Sequence, residues 1–356
     1  MDKGDAAGMT RRVRLVGDGV ENPANARALM DAAAMFGVQC AFRDTRGLMA
    51  AWDVERGGEL ELIDTPGLLD QQWPIVAVET NPQASIVFGA TLPGTQSSII
   101  VGGERLGIRA DLLRAAARTV RLPMSGRGIN TLNVAAAAAV ALYYLIAGRG
   151  LAPRLAKRPE ERRPALLLSR PQDHVEAGSA IRSAAAFGWR TVGLDDSSKV
   201  WYGVSHGVAA EGRAAARSHR NRIRVLPMTT STNLAFRRVV VAGALVDGPP
   251  IHRVDLAGHD TLLVIPDERE RGSIQRFKDL GAWLEPARID ISVPGFPYRY
   301  RLMATIVMAE AVRQIGFRPA GQPRQAPRRG LTYESTLSTV ATGAAEEVDP
   351  AVLKTF

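Results

Sequence analysis

The sequence predicts an α/β protein made of two tandem domains, each on a mostly parallel sheet. Three observations predict it. Short apolar runs alternate with alanine-rich stretches, the pattern of helices covering both faces of a parallel sheet. The first alanine-rich stretch closes on Phe36-Gly37, and a second that matches it closes on Phe187-Gly188. Between them lies Lys157-Arg158-Pro159-Glu160-Glu161-Arg162-Arg163-Pro164, a charged, proline-bounded segment that reads as a linker.

Taken in order, residues 1–10 read as a mobile tail and Val13–Val16 as a strand, with Gly17-Asp18-Gly19 as a turn. Asn22-Pro23-Ala24-Asn25 then leads into a helix over Ala26–Phe36, closed by Gly37. Strands follow at Leu60–Ile63, Ile75–Val78, Ser85–Phe88 and Ile99–Val101, separated by Gly, Pro, Asn and Asp. The run Ser98-Ile99-Ile100-Val101 ends in Gly102-Gly103-Glu104-Arg105-Leu106-Gly107. Glycines at a strand end let backbone approach a ligand closely. A second run, Val120-Arg121-Leu122, stops at Pro123, and Asn133 opens an alanine-rich helix that reaches Ile146.

The domain boundaries read as 11–150 and 164–318, with a linker over 151–163 and a C-terminal tail over 319–356. In the second half Ala165–Leu168 is a strand and Ala177–Phe187 a helix. Glu104 aligns with Glu268 and Pro123 with Pro294, at spacings that widen along the chain, so the second copy carries insertions. The larger is expected to include Val208–Arg224, a basic, helix-prone stretch holding Arg213, Arg217, Arg220, Arg222 and Arg224.

Composition narrows the function classes. The 356 residues suffice for two cores, and 46% hydrophobic with 23% charged residues is the balance of a soluble globular protein. The longest apolar run, Val134–Ala147, is too short to cross a bilayer. The N-terminus lacks a basic region before an apolar core, so no signal peptide is expected. Cys40 is alone, which excludes an intramolecular disulfide and argues against a zinc cluster. These features predict a cytoplasmic protein, with Cys40 as a small buried apolar residue. The net charge of +9 suits phosphate recognition, or simply a solvated basic face.

Three segments, Gly102-Gly103-Glu104-Arg105-Leu106-Gly107, Leu122-Pro123-Met124 and Thr131-Leu132-Asn133, resemble the G-x-E-x-x-G, I-P-M and S-L-N motifs of the SpoU (TrmH-like) branch of the SPOUT RNA methyltransferases. Leu for Ile and Thr for Ser are mild departures. The resemblance implies a trefoil-knotted α/β fold, two SPOUT-like domains forming a pseudo-dimer, and S-adenosylmethionine as cofactor. It implies cofactor-binding roles for Gly102, Gly103, Gly107, Leu122, Met124, Leu132 and Asn133. RNA, either tRNA or rRNA, is the implied partner, and 2′-O-methylation of ribose the implied reaction. No metal is required, and the pseudo-dimer is expected to work as a monomer.

The family's first motif pairs an asparagine with an arginine six residues on. The first copy keeps Asn25 but has Asp31 at the arginine position and Arg27 where glycine belongs. The second copy keeps Gly178 and Arg182 but has Glu176 for the asparagine, and its cofactor segments are eroded at Pro266-Asp267-Glu268 and Val293-Pro294-Gly295. One composite site is therefore expected, with Arg182, Asn25 and Glu104 catalytic. Arg182 is alternatively a surface residue and Glu104 a turn cap. Asp31 and Glu176 are interface ion-pair partners or simply solvated. The five histidines lack metal-ligand spacing, and Gly126-Arg127-Gly128 resembles a phosphate nest only superficially. Two other functions stay open: a methyltransferase acting on a small molecule or nucleoside, and an inactive RNA-binding protein.

Overall fold

The computed structural model describes residues 12–54, 58, 60–70, 73–103, 105–124, 132–147, 151–156, 159–216, 223–228, 236–267, 274–291 and 299–316. The tails expected over 1–10 and 319–356 lie outside these, as do Glu104, Gly126-Arg127-Gly128, Arg217, Arg220, Arg222, Glu268 and Pro294. The chain divides into two compact units. Residues up to Leu122 together with Ala137–Leu151 form the first; Pro123–Ala136 and the chain from Ala152 to Ile291 and beyond Pro297 form the second.

The first unit runs β1 (Arg12–Asp18), α1 (Pro23–Met35), β2 (Gln39–Arg43), α2 (Leu48–Val54), β3 (Glu61–Leu62), α3 (Thr65–Asp70), β4 (Ile75–Val78), β5 (Ser85–Ile86), β6 (Gln96–Gly102), α4 (Ala110–Ala115) and β7 (Arg118–Arg121), followed by α5 (Val134–Leu142). Its sheet has the order β3-β2-β1-β6-β4-β7-β5, and every pair is parallel. The central strands bury Leu15, Val16, Val76, Ala77, Ile99 and Ile100, the near-continuous apolar runs that a sheet covered on both faces requires. Helix α1 starts at Pro23, three residues before the expected Ala26, because Asn22 provides the cap. Asn22 caps it by accepting from the Ala24 N–H at 2.8 Å, Pro23 takes the first turn, and Gly37 follows it at φ +64°.

The expected turn at Gly17-Asp18-Gly19 is corrected. Strand β1 continues through Gly17 and Asp18, pairing with Val101 and Gly102 on one side and Phe42 and Arg43 on the other. Only Gly19 turns away, at φ +65°. The polar Asp18 looked like a strand breaker because its buried partner, Arg43, comes from a strand the sequence did not reveal.

The second unit runs β8 (Ala165–Ser169), α6 (His174–Ala186), β9 (Thr191–Asp195), α7 (His206–Ala216), β10 (Arg224–Pro227), β11 (Phe236–Gly243), β12 (Thr261–Pro266), β13 (Gly281–Arg288) and α8 (Tyr300–Ile315). Its sheet is also wholly parallel, with the order β10-β9-β8-β12-β11-β13. Reading β8 as β1, β9 as β2, β10 as β3, β12 as β6, β11 as β4 and β13 as β7, the two sheets share one strand order. The rims match as well. In the first unit Gly19 N–H bonds Arg43 O and Gly103 N–H bonds Asp18 O; in the second Arg170 N–H bonds Asp195 O and Asp267 N–H bonds Ser169 O.

The stretch expected as an insertion, Val208–Arg224, lies where the second copy is longer: the rim bond from Ile63 N–H to Phe42 O spans 21 positions, and its counterpart from Met228 N–H to Leu194 O spans 34. The described parts of that stretch are helix α7 and the start of β10, which hold the sheet positions of α2 and β3. Gly178 has a packing role: a Cβ there would lie 2.0 Å from the Gly212 carbonyl oxygen where α6 crosses α7.

Candidate active site

In a parallel sheet the strands end together, and the carboxyl rim is where open α/β sheets bind ligands. On the first sheet β1, β6, β4 and β7 deliver Asp18, Gly102, Val78 and Arg121 to that rim. The loop after β6 is folded tightly back on itself. Gly103 and Gly107 form an antiparallel bridge, and the Gly107 N–H donates to Gly103 O at 3.1 Å. A Cβ on Gly102 would stand 2.2 Å from the Gly107 carbonyl carbon, and Gly107 itself has φ +65°. The glycines are therefore required by the loop's own backbone, where the sequence suggested approach to a ligand.

Two carboxylates that sequence reasoning missed hold this loop. Asp18 is fully buried; its main-chain oxygen accepts from Gly103 N–H at 2.7 Å and its Oδ2 from Arg109 N–H at 2.8 Å. Its Oδ1 accepts from Arg43 Nε at 2.8 Å, and Arg43 also donates to Thr65 Oγ1 and to Asp111 Oδ2. Burial acts against the Arg43 cation, but Asp18 and Asp111 outweigh it and raise its pKa above the ordinary value. Beyond β4, Glu79 accepts from Ile108 N–H at 3.2 Å and from Thr80 N–H at 2.7 Å. A charged residue closing each apolar run was the available signal.

Beside the loop, Glu21, Asn22, Pro23, Asn25 and Arg105 line an open pocket of about 420 Å³. The structure thus brings the predicted Asn25 together with Arg105 of the glycine loop. Leu122, nearly buried, follows β7 at the same rim. Met124, Leu132 and Asn133 fall in the segment 123–136, which groups with the second unit. Asn133 opens α5 as expected, its Oδ1 accepting from Ala135 N–H at 3.0 Å. Arg182 on α6 is partly buried and donates through Nη2 to the carbonyl of Leu132 at 3.3 Å, which removes its reading as a plain surface residue. Burial lowers its pKa.

In the second unit the counterpart positions are filled by the unit's own side chains. Glu176 is buried; it accepts from the Arg301 N–H at the start of α8 at 2.9 Å and pairs with Arg301 Nε at 3.2 Å. Its expected alternative of being simply solvated is corrected: Glu176 is 5% exposed. Tyr300 is buried with its hydroxyl on Ile265 O at 3.0 Å, and Asp267 accepts from Gln172 N–H at 3.1 Å. Among the described residues no group of His, Cys, Asp and Glu could hold a metal, and no helix is long and apolar enough to cross a membrane.

The model of the SpoU rRNA methylase family matches residues 61–143. The chain is SpoU/TrmH-like over this segment. The SpoU-like segment contains all three quoted motifs and stops short of the first, at Asn25. Solved structures similar to the chain include a TrmH/SpoU tRNA modifying enzyme from A. aeolicus, 22% identical over 38% of this chain and 73% of that one, with a TM-score of 0.31. An RNA 2′-O ribose methyltransferase is 27% identical over 42% of this chain and 60% of that one, with a TM-score of 0.32. The SpoU methyltransferase AviRb from Streptomyces viridochromogenes, in complex with AdoMet, is 20% identical over 40% and 59%, with a TM-score of 0.32. This chain spans about three fifths of the length of the last two. No curated protein matches it.

Proposed function

We propose that the chain is a SpoU-type, S-adenosylmethionine-dependent methyltransferase that methylates ribose 2′-hydroxyls of RNA, with one cofactor per chain. The observation that carries this is the clamped glycine loop at the sheet's carboxyl rim, inside the SpoU-like segment. The residues fit such a cofactor. Gly102, Gly103 and Gly107 let the loop fold back on itself at the rim, and the apolar Leu122 follows β7 at the same rim. A wall of backbone polar groups with apolar neighbours suits an adenosyl group. When bound at this rim, the cofactor would supply an activated methyl group for transfer to the ribose oxygen, with the hydroxyl proton released to solvent.

The chain's own work is to hold loop and substrate in line. Asp18, Arg43 and Glu79 fix the loop before any ligand arrives, so no ordering is left for the binding step. Arg182 serves as the substrate-facing cation, where a guanidinium favours the hydroxyl's loss of its proton. What supports this role is its hydrogen bond to the Leu132 carbonyl in the third motif. The closure of the second rim by Tyr300, Glu176 and Asp267 supports a single cofactor.

The test is transfer of labelled methyl to total RNA, with titration calorimetry for stoichiometry. One cofactor per chain and label on ribose oxygens are expected. Arg182→Ala should lower kcat on the order of a hundredfold and leave cofactor affinity nearly unchanged. Two equivalent cofactor sites, or a fully active Arg182→Ala enzyme, would overturn the respective parts. Label on a small molecule and not on RNA would replace the substrate.

A further inference from the structure

Glu21 and Arg105 line the pocket beside α1, and Arg46, just outside that lining, pairs with the same carboxylate. Arg46 Nη1 lies 2.5 Å from Glu21 Oε1, and Arg105 Nη1 lies 3.8 Å from Glu21 Oε2. Each arginine stands on a loop that is already held. Asp44 accepts from the N–H groups of Arg46 at 3.3 Å, Leu48 at 3.1 Å and Ala50 at 2.8 Å, fixing the β2–α2 turn. Arg105 stands on the loop clamped by Asp18 and Glu79. Both guanidinium groups reach the solvent, with side chains 56% and 75% exposed, while Glu21 is 21% exposed beneath them. Two guanidinium groups therefore meet one carboxylate, next to Asn25 and the N-terminal turn of α1.

We propose that this pocket is a phosphodiester subsite for substrate RNA, in which Arg105 and Arg46 hold a backbone phosphate and Glu21 is the internal anion that the phosphate displaces. The inference rests on reading the chain as an RNA methyltransferase. Two guanidinium groups converging on two oxygens of one anion is the arrangement that phosphate oxygens satisfy best. The open mouth, with both cations outermost, admits a polymer backbone passing across it. Glu21 lowers the affinity for any phosphate by holding both arginines, and thereby limits retention of RNA that makes no other contact.

The test uses the full chain and a labelled short oligouridylate, with affinity measured over a range of KCl. Glu21→Gln should tighten binding about two- to fivefold, the range an exposed ion pair is worth. Arg105→Ala and Arg46→Ala should each weaken binding and flatten the log-affinity against log-salt slope by roughly 0.7. Cofactor affinity should not move in any of the three. Unchanged affinity in Glu21→Gln with unchanged slopes in both arginine variants overturns the subsite, as does a wild-type chain that does not bind the oligouridylate. Inorganic phosphate competing as well as the oligouridylate at equal concentration also overturns it, because the ligand would then be a free anion. A chain that binds RNA through this pocket yet neither binds cofactor nor transfers methyl would instead defeat the methyltransferase reading alone.

Discussion

Replacing Asp18 by Asn removes one charge from a pair whose side chains are 0% and 2% exposed. Asp18 and Arg43 lie at the register where β1, β2 and β6 meet, so neither can swing out to water without breaking the sheet. Removing one partner of a buried ion pair costs about 3–5 kcal/mol, because the other charge is left uncompensated. Arg43 keeps Asp111 at 3.1 Å, so the loss should fall near the lower end, about 3 kcal/mol. For a unit of this size that lowers its melting temperature by roughly 6–12 °C. The amide also has only one oxygen, so the bonds to Arg43 and to Arg109 N–H cannot both survive, and the glycine loop should lose order. The assay is hydrogen exchange of β1, β6 and the loop with mass spectrometry, alongside cofactor titration. Asp18→Asn should speed exchange in the first unit, leave the second unchanged and weaken cofactor binding. Asp18→Asn combined with Arg43→Met should recover part of the stability, since no buried charge remains. A loss below about 1 kcal/mol in the single variant, or simple addition of the two single losses, would refute this account of the clamp.

Three further outcomes are expected. Gly102→Ala should cost more than the ordinary 1–3 kcal/mol of overpacking, because its Cβ meets backbone 2.2 Å away, and thermal melts should show it. Burial raises the Glu176 pKa from its usual 4.5, with Arg301 opposing and Asp173 reinforcing the shift. The folded chain therefore keeps that proton to higher pH than the unfolded chain, so stability falls as pH rises from 4.5 through the raised value. Denaturation midpoints should show this decline, Glu176→Gln should flatten it, and a rise in the same window would contradict the sign. Burial, with Glu61 nearby, pushes the Cys40 thiol up to about 12, so at pH 8 the thiolate is on the order of one part in ten thousand. Iodoacetamide should then label the native protein far more slowly than the denatured one, as followed by intact mass.

What could be read from the sequence was what local spacing encodes. Helix α1 announced itself through Asn22-Pro23 and its closing Gly37, α6 through its alanine run and closing Gly188, and β4, β6 and β8 through uninterrupted β-branched or leucine runs. The order of the glycine loop, Leu122-Pro123-Met124 and Asn133 was also legible, because each sits at an element boundary. Strand β2 was not, since Gln39-Cys40-Ala41-Phe42-Arg43 is short and bounded by polar residues; it is a strand because β1 pairs with it. Asp18, Arg43 and Glu79 escaped for the same reason. Their meaning lies in partners 25 to 91 residues away, as in Arg43 to Asp18 and Arg109 to Asp18, and no periodicity records such pairs. The insertion expected over Val208–Arg224 was legible as a widening of spacing, and it falls in the β9–β10 connection that holds α7. That α7 is the counterpart of α2 was not legible, because α2 is short and weakly patterned.

The two units show how much of a ligand rim belongs to the backbone and how much to side chains. At equivalent strand ends the same main-chain bonds recur, and the same left-handed residue follows the first strand. Gly19 adopts it at φ +65° without strain, whereas Arg170 adopts it at φ +54° against a cost of roughly 1–2 kcal/mol. The second unit would not hold a non-glycine residue there unless the bond from Arg170 N–H to Asp195 O and the surrounding sheet imposed the conformation. The side chains, by contrast, are exchanged. Where the first unit has the buried pair Asp18 and Arg43, the second has Ser169 and Asp195, and Asp195 is satisfied by Ser169, by the Ser197 N–H and by the Ser197 hydroxyl. Where the first unit has Gly103, the second has Asp267, turned onto Gln172 N–H. Each replacement finds a partner inside its own unit. A frame fixed by strand pairing thus tolerates different side chains at its rim, because the main-chain bonds that shape the rim recur in both units.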